Sequence, residues 1–207
     1  MPVLLREYNE LKLEKEALNE MVSKRASGEP FIVKGVIQRA DAKNQNGRIY
    51  PYSILKKECD RYEEDFVKRG NAIGCLDHVE TPVIELKHAS HVVTKIWWED
   101  KEVHAEIKLL NTPAGKIAQE IVLSGIPLGI SSRAVGTVSK NEAQGADIVG
   151  EDLQLVCFDL VGVPSTHNAF LSINEAIEVK NFDRNKILPA EMRVKTILQD
   201  ILKRGDK

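Results

Sequence analysis

The chain has 207 residues, 43% hydrophobic and 29% charged, with a formal net charge of -2. That is enough for one core or one core with arms. It offers no positive field for nucleic acid or an anionic membrane, and no apolar run reaches the length of a membrane span.

Residues 3 to 24 predict an amphipathic helix, with Leu4, Leu5, Tyr8, Leu11, Leu18 and Met21 spaced by three or four among Glu and Lys. MPVLLREYNELKLEKEALNE is too charged for a secretory signal. Its few large apolar residues suit a helix that docks weakly or detaches, and SGEP at 27 to 30 ends it. FIVKGVIQR (31 to 39) reads as a strand and AKNQNGRIYP (42 to 51) as a polar loop. Residues 52 to 70 read as a helix stopped by Gly70. HVVTKIWWED and KEVHAEIKLL (91 to 110) form a hairpin turning near Asp100. Residues 112 to 125 form a helix with Thr112 as N-cap, Pro113 at its first position and Gly125 past its end.

A strand follows at 127 to 139, then a loop rich in Gly, Ala and Asn. LQLVCFDLVGV (153 to 163) is apolar enough for a central strand. From 173 the sequence turns polar and irregular, and LPAEMRVKTILQDILKRG (188 to 205) reads as a final amphipathic helix. Helices inserted singly among strands exclude a doubly wound parallel sheet. The fold class expected is α+β: a small, mostly antiparallel β-barrel or sandwich over 31 to 172, with helical arms at 1 to 30 and 173 to 207. Cys59, Cys75 and Cys157 are odd in number and lack a CxxC, which suits free thiols in a reducing compartment and argues against a zinc site or disulfide framework.

Chemistry concentrates first in PLGISSRAVG (127 to 136). Neighbouring side chains on a strand point to opposite faces, so one of Ser131 and Ser132 faces the core and the other a cleft. Gly129, Ala134 and Gly136 admit a closely approaching backbone. The plainer reading is a strand end whose hydroxyls bond nearby backbone. A serine nucleophile needs a base. His78 in GCLDHVE, His88 and His91 in KHASH, and His167 in PSTHNAF are candidates, while His104 in a hairpin strand reads as structural. Asp159 within VCFDLVGVP is costly unless paired. It either orients an imidazolium, as a triad acid does, or faces solvent at a strand edge. Asp77, His78, His88 and His91 are candidate metal ligands, although an HxxH loop without HExxH or a Cys pair is a weak pattern.

Four segments, KNQNGRIYP (43 to 51), GCLDHVE (74 to 80), LGISSRAVG (128 to 136) and FDLVGVPSTHNAF (158 to 170), together resemble the prohead proteases of tailed bacteriophages, in the branch found in large myoviruses. That family is related in fold to the herpesvirus maturation protease. The resemblance implies a β-barrel surrounded by helices and a serine endopeptidase. Ser132 is its expected nucleophile, chosen over Ser131 because Ala134 follows two positions later. His78 is the expected base and Asp159 the third member, with His167 next in line. Ser131 is then expected to turn inward and Arg133 to lie outside the core. Backbone amides near Pro164 to His167 are candidate oxyanion donors.

No cofactor is implied. The implied substrates are scaffold or core proteins and the major capsid protein, cut inside the assembling prohead in the host cytoplasm. The implied cuts follow a Glu that has Leu or Ile two residues before it. Matches occur at Leu18-Asn19-Glu20, Ile173-Asn174-Glu175 and Leu5-Arg6-Glu7. An inactive precursor is expected to process itself after Glu175, and secondarily after Glu20, leaving residues 21 to 175. No nucleic-acid or membrane partner is expected, and a homo-oligomer is left open. Two alternatives stand: an inactive scaffold or core protein sharing the barrel, and a metal-dependent hydrolase built on His78, His88 and His91.

Overall fold

The protein is described by a computed structural model covering residues 2–11, 29–79, 81–126, 128–162 and 177–178. The strands are β1 (Val3–Leu11), β2 (Phe31–Arg39), β3 (Arg48–Ile49), β4 (Ile73–Cys75), β5 (Ala89–Glu99), β6 (Glu102–Leu109), β7 (Leu128–Gly136), β8 (Val138–Asn141), β9 (Ala146–Val149), β10 (Gln154–Gly162) and β11 (Ile177–Glu178). Helix α1 (Tyr52–Tyr62) runs into a π-helical turn at Glu63–Val67, and α2 is Pro113–Leu123. The strands form three sheets, ordered β10-β7-β1-β11, β2-β6-β5-β4 and β3-β9-β8. Only β3 with β9 pairs in parallel among these strands. The class is α+β and mostly antiparallel, as expected. The barrel is not: among the described residues the strands make separate sheets that do not close on themselves.

The larger of two buried clusters forms the main core, and a smaller one gathers Leu4, Val135, Val156 and Cys157. The main core joins Leu5, Ile130, Ala134, Phe158 and Leu160 of the first sheet to Val33, Ile37, Val93, Val103, Ala105 and Ile107 of the second, with Leu55, Cys59 and Tyr62 of α1. The elements with clear end signals lie where the sequence puts them. Thr112 Oγ1 accepts from the Gly115 N–H at 3.1 Å, capping α2, and Gly125 follows that helix at φ 71°. Gly70 sits at φ 69° after the first helical segment, and Asp100 turns the β5–β6 hairpin at φ 52°.

The N-terminal helix is a correction. Val3–Leu11 is a strand, paired residue for residue with β7 from Val3↔Gly136 to Leu11↔Leu128. Leu4 and Leu5 are both buried although adjacent, because this strand is covered on both faces. A strand without a polar face has no period of two, and its apolar spacing imitates a helix. Residues 3–11 are therefore no loosely docked arm, and residues 12–24 of the expected helix lie outside the described residues. The Gly-rich stretch after 139 is also more ordered than a loop, since β8 and β9 pair there as a hairpin. The helix expected at 188 to 205 lies outside the described residues.

Candidate active site

β7 is buried at all nine of its positions and lies between β10 and β1. Residues directly opposite each other in an antiparallel pair project to the same face. Ser131 lies opposite Asp159, and Arg133 opposite Cys157. These four share one face. Ser132 lies opposite Phe158 on β10 and Glu7 on β1, and faces the core. Its hydroxyl accepts a 3.0 Å hydrogen bond from Gln38 Nε2. The expected orientation of the two serines is thus reversed: β-strand alternation turns Ser132 inward and places Ser131 beside Asp159.

A bulge sets this arrangement. Along β10 the register slips between Leu155, opposite Ala134, and Cys157, opposite Arg133, leaving Val156 extra. A continuous register would set Asp159 opposite Ile130, on the core face. One extra residue turns it to the other side. α1 holds the bulge: Glu58 Oε2 accepts the Leu155 N–H at 3.0 Å, and Arg61 Nη2 donates to the Leu155 carbonyl at 2.7 Å. Arg61 also pairs with Glu58 at 2.9 Å.

Asp159 is fully buried and fully engaged. Its Oδ2 lies 3.1 Å from His78 Nδ1, and its Oδ1 accepts the Cys75 N–H at 3.0 Å. Arg133 grips both oxygens, through Nε to Oδ2 at 2.9 Å and Nη2 to Oδ1 at 3.1 Å. Burial pushes the carboxyl's pKa up. The His78 hydrogen bond, the Arg133 charge and the Cys75 amide outweigh it, so the group sits below the usual carboxylate value and is ionised. An ionised Asp159 at Nδ1 favours the tautomer with the ring proton there, which leaves the Nε2 lone pair free.

His78 is aimed by the chain that carries it. Leu76 bridges Leu160, the Asp77 N–H donates to the Leu160 carbonyl at 2.8 Å, and the Leu76 N–H donates to the His88 carbonyl at 2.9 Å. Asp77 takes φ 62°, a left-handed conformation that Asp tolerates better than most residues. The His78 side chain remains 23% exposed, against none for Asp159, so the imidazole reaches solvent while its partner does not.

Arg133, expected outside the core, is completely buried. Burial opposes its charge, but the ionised Asp159, held through both oxygens, offsets this and keeps the guanidinium protonated. Its Nη1 also donates to the carbonyls of Thr81 at 2.5 Å and Val83 at 3.2 Å, tying the loop after His78 to the serine strand. Sequence reasoning missed this role. The only available signal was that a buried Asp159 needs a buried cation, and Arg133 lies in the adjacent motif.

Among the described residues the other histidines do not join His78. His91 is sealed in the interior, with Nε2 3.0 Å from the Phe158 carbonyl and Nδ1 2.8 Å from Ser90 Oγ. His88 lies near Glu85, with Nε2 3.8 Å from Oε2. His104 stacks on Trp97 at 5.5 Å, a structural place as expected. Among the described residues no three His, Cys, Asp or Glu side chains gather as metal ligands, so the proposed set of Asp77, His78, His88 and His91 does not assemble. The three cysteines are free and buried. Among the described residues no helix is long and apolar enough to cross a membrane. His167, Pro164, Glu20 and Glu175 lie outside the described residues.

The model of a family described as prohead core protein serine protease matches residues 11–181. The prohead core protein protease of Enterobacteria phage T4 is 29% identical over 150 residues, which are 70% of this chain and 70% of that protein. A solved structure, the capsid assembly protease gp21 of bacteriophage T4, superposes with a TM-score of 0.68 at 23% identity, covering 79% of this chain and 99% of that one.

Proposed function

The chain belongs to the prohead core protein serine protease family, and on that premise we propose that it is a serine endopeptidase in which Ser131 is the nucleophile, His78 the base and Asp159 the acid that orients it. The observation that carries this reading is the His78 Nδ1–Asp159 Oδ2 contact at 3.1 Å, with Ser131 directly opposite Asp159 on the neighbouring strand. His78 Nε2 takes the Ser131 hydroxyl proton as Oγ attacks the scissile carbonyl. The oxyanion collapses to an acyl-enzyme while His78 protonates the leaving amine, and water resolves the ester with His78 again as base. Asp159 stays ionised throughout and stabilises the imidazolium.

The substrates in this proposal are scaffold or core proteins and the major capsid protein, inside the prohead in the host cytoplasm. Cleavage follows Glu, and the enzyme processes itself after Glu175 and Glu20. This part rests on family membership and on the Leu/Ile-x-Glu matches. Kinship in fold with the herpesvirus maturation protease belongs to the proposal too and rests on the motif resemblance.

A fluorophosphonate probe tests the site. Ser131→Ala is expected to abolish labelling and to lower kcat by roughly a millionfold. Ser132→Ala is expected to label and cut, with a stability loss of about 1 kcal/mol for the unpaired Gln38 amide. Labelling that survives in Ser131→Ala and is lost in Ser132→Ala would restore Ser132 as nucleophile. No labelling of wild type, in a folded chain that cuts no capsid or core protein, would leave an inactive scaffold or core protein.

A further inference from the structure

The KNQNGRIYP segment takes no part in the chemistry above, yet it is built around one side chain. Asn44 Oδ1 accepts the N–H groups of Asn46 at 3.0 Å and Arg48 at 2.9 Å, and Gly47 turns the chain at φ 75°. The loop so shaped points three donors at Glu7 of β1. Arg48 Nη1 lies 3.0 Å and Tyr50 Oη 2.9 Å from Oε1, and Asn46 Nδ2 lies 2.8 Å from Oε2. Asn46 also donates to the Arg6 carbonyl at 2.7 Å, so the loop holds main chain as well as side chain. Glu7 is 2% exposed, Tyr50 2% and Arg48 6%, so the three pair with one another out of water.

β1 is at the same time the inner neighbour of the serine strand. Glu7 lies opposite Ser132, and Tyr8 opposite Ser131. Without β1, the backbone groups of β7 on that side lose every partner, although β7 is buried at each residue. The Arg48 cation and the Tyr50 hydroxyl are stranded with them. The family match begins only at residue 11, so this strand lies almost wholly before the matched region.

We infer that residues 3–11 stay in the working enzyme as a noncovalently held second chain when the backbone is cut between β1 and β2, with Glu7 as the key that the 44–50 loop reads. The docking itself needs only the geometry above; that the enzyme makes such a cut, after Glu20, rests on the proposed function. The mature protein is then two chains rather than residues 21 to 175 alone. Leu5-Arg6-Glu7, a third sequence match, is protected because it occupies the middle of a sheet.

Co-expression of residues 1–20 with residues 21–207 tests this. In a Ser131→Ala background the two pieces are expected to co-purify one to one by native mass spectrometry. In the wild-type background the pair is expected to label with fluorophosphonate at the rate of the intact chain. Glu7→Ala on the short piece is expected to weaken its retention by about 100-fold or more, since one partner of a buried ion pair is lost. A long piece that purifies folded without the short one and labels at the full rate overturns the inference. A short piece that fails to hold the long one, or that Glu7→Ala leaves equally retained, also overturns it. Intact-chain labelling, run alongside, separates these failures from a failure of the serine-protease reading.

Discussion

Beside the Cys75 amide and the Cys157 thiol, Asp159 answers to the His78 ring and the Arg133 guanidinium, and substitutions there are read through both of these. Asp159→Asn is expected to cost about ten-thousandfold in kcat through the lost tautomer control. Unlike an Asp that serves only its histidine, it also strands a buried guanidinium, at about 3–5 kcal/mol of stability. Denaturant unfolding beside a fluorogenic peptide assay checks both. An Asn variant as stable as wild type would remove Arg133 from the account. His91 supplies one part of the pH dependence. Burial lowers its pKa from 6.5 to about 4. The unfolded chain takes up a proton on this ring between those values that the folded chain refuses. Stability therefore falls as pH drops through that window, by about 3 kcal/mol at its foot. His91→Gln keeps a donor near the Phe158 carbonyl without titrating, and its denaturation midpoint is expected to vary less between pH 7 and 4.5. At this scale the sequence was readable in part. An acid inside VCFDLVGVP announces that it needs partners, and His78 follows from its motif. The choice between adjacent serines depends on which face each takes, and one strand read alone does not say.

The bulge in β10 shows why. Its extra residue, Val156, has the same apolar character as its neighbours, so no pattern marks it, yet it decides that Asp159 meets Ser131 instead of Ile130. Deleting Val156 is expected to remove labelling of Ser131 by turning the carboxylate to the core face or by breaking the sheet. Glu58→Ala, which removes the acceptor for the Leu155 N–H, is the milder test, with a fall in kcat and little change in KM. Equal loss of both constants, or of neither, would show that the clamp does not aim the acid. Elements bounded by caps and turn residues were legible, as α2 and the β5–β6 hairpin are. β1 was not, because its identity comes from the strand it pairs with rather than from its own pattern.

Among the described residues the last strand meets the first, β11 against β1, and β7 flanks β1 on the other side, unequally. Among the described residues β1 pairs with β7 over nine positions, whereas β11 adds Ile177 opposite Leu4 and Glu178 opposite Val3. Self-processing is therefore expected to have different consequences at the two sites. The piece after Glu175 is expected to leave on gel filtration, and the piece before Met21 to remain. Intact and native masses of wild type beside Ser131→Ala decide this. A chain that stays full length while cutting an added peptide would end the self-processing proposal, and release of both pieces would show that nine paired residues do not suffice. The sheet order that produces this asymmetry was not visible in the sequence, because β1 and β7 are far apart along it and neither carries a mark of its partner.

The placement of Ser131 in an inner strand, sealed on both faces, bears on how the protein fails. Amides of residues 128–136 have no local route to solvent, so their deuterium exchange should track the opening of the entire fold. Enzymes that carry their nucleophile on a loop lose turnover by local loosening well before they melt. Here the proposed nucleophile is expected to lose its place only with melting, so fluorophosphonate labelling should fall no later than the melting curve, and any earlier fall points to loosening of the His78 segment instead.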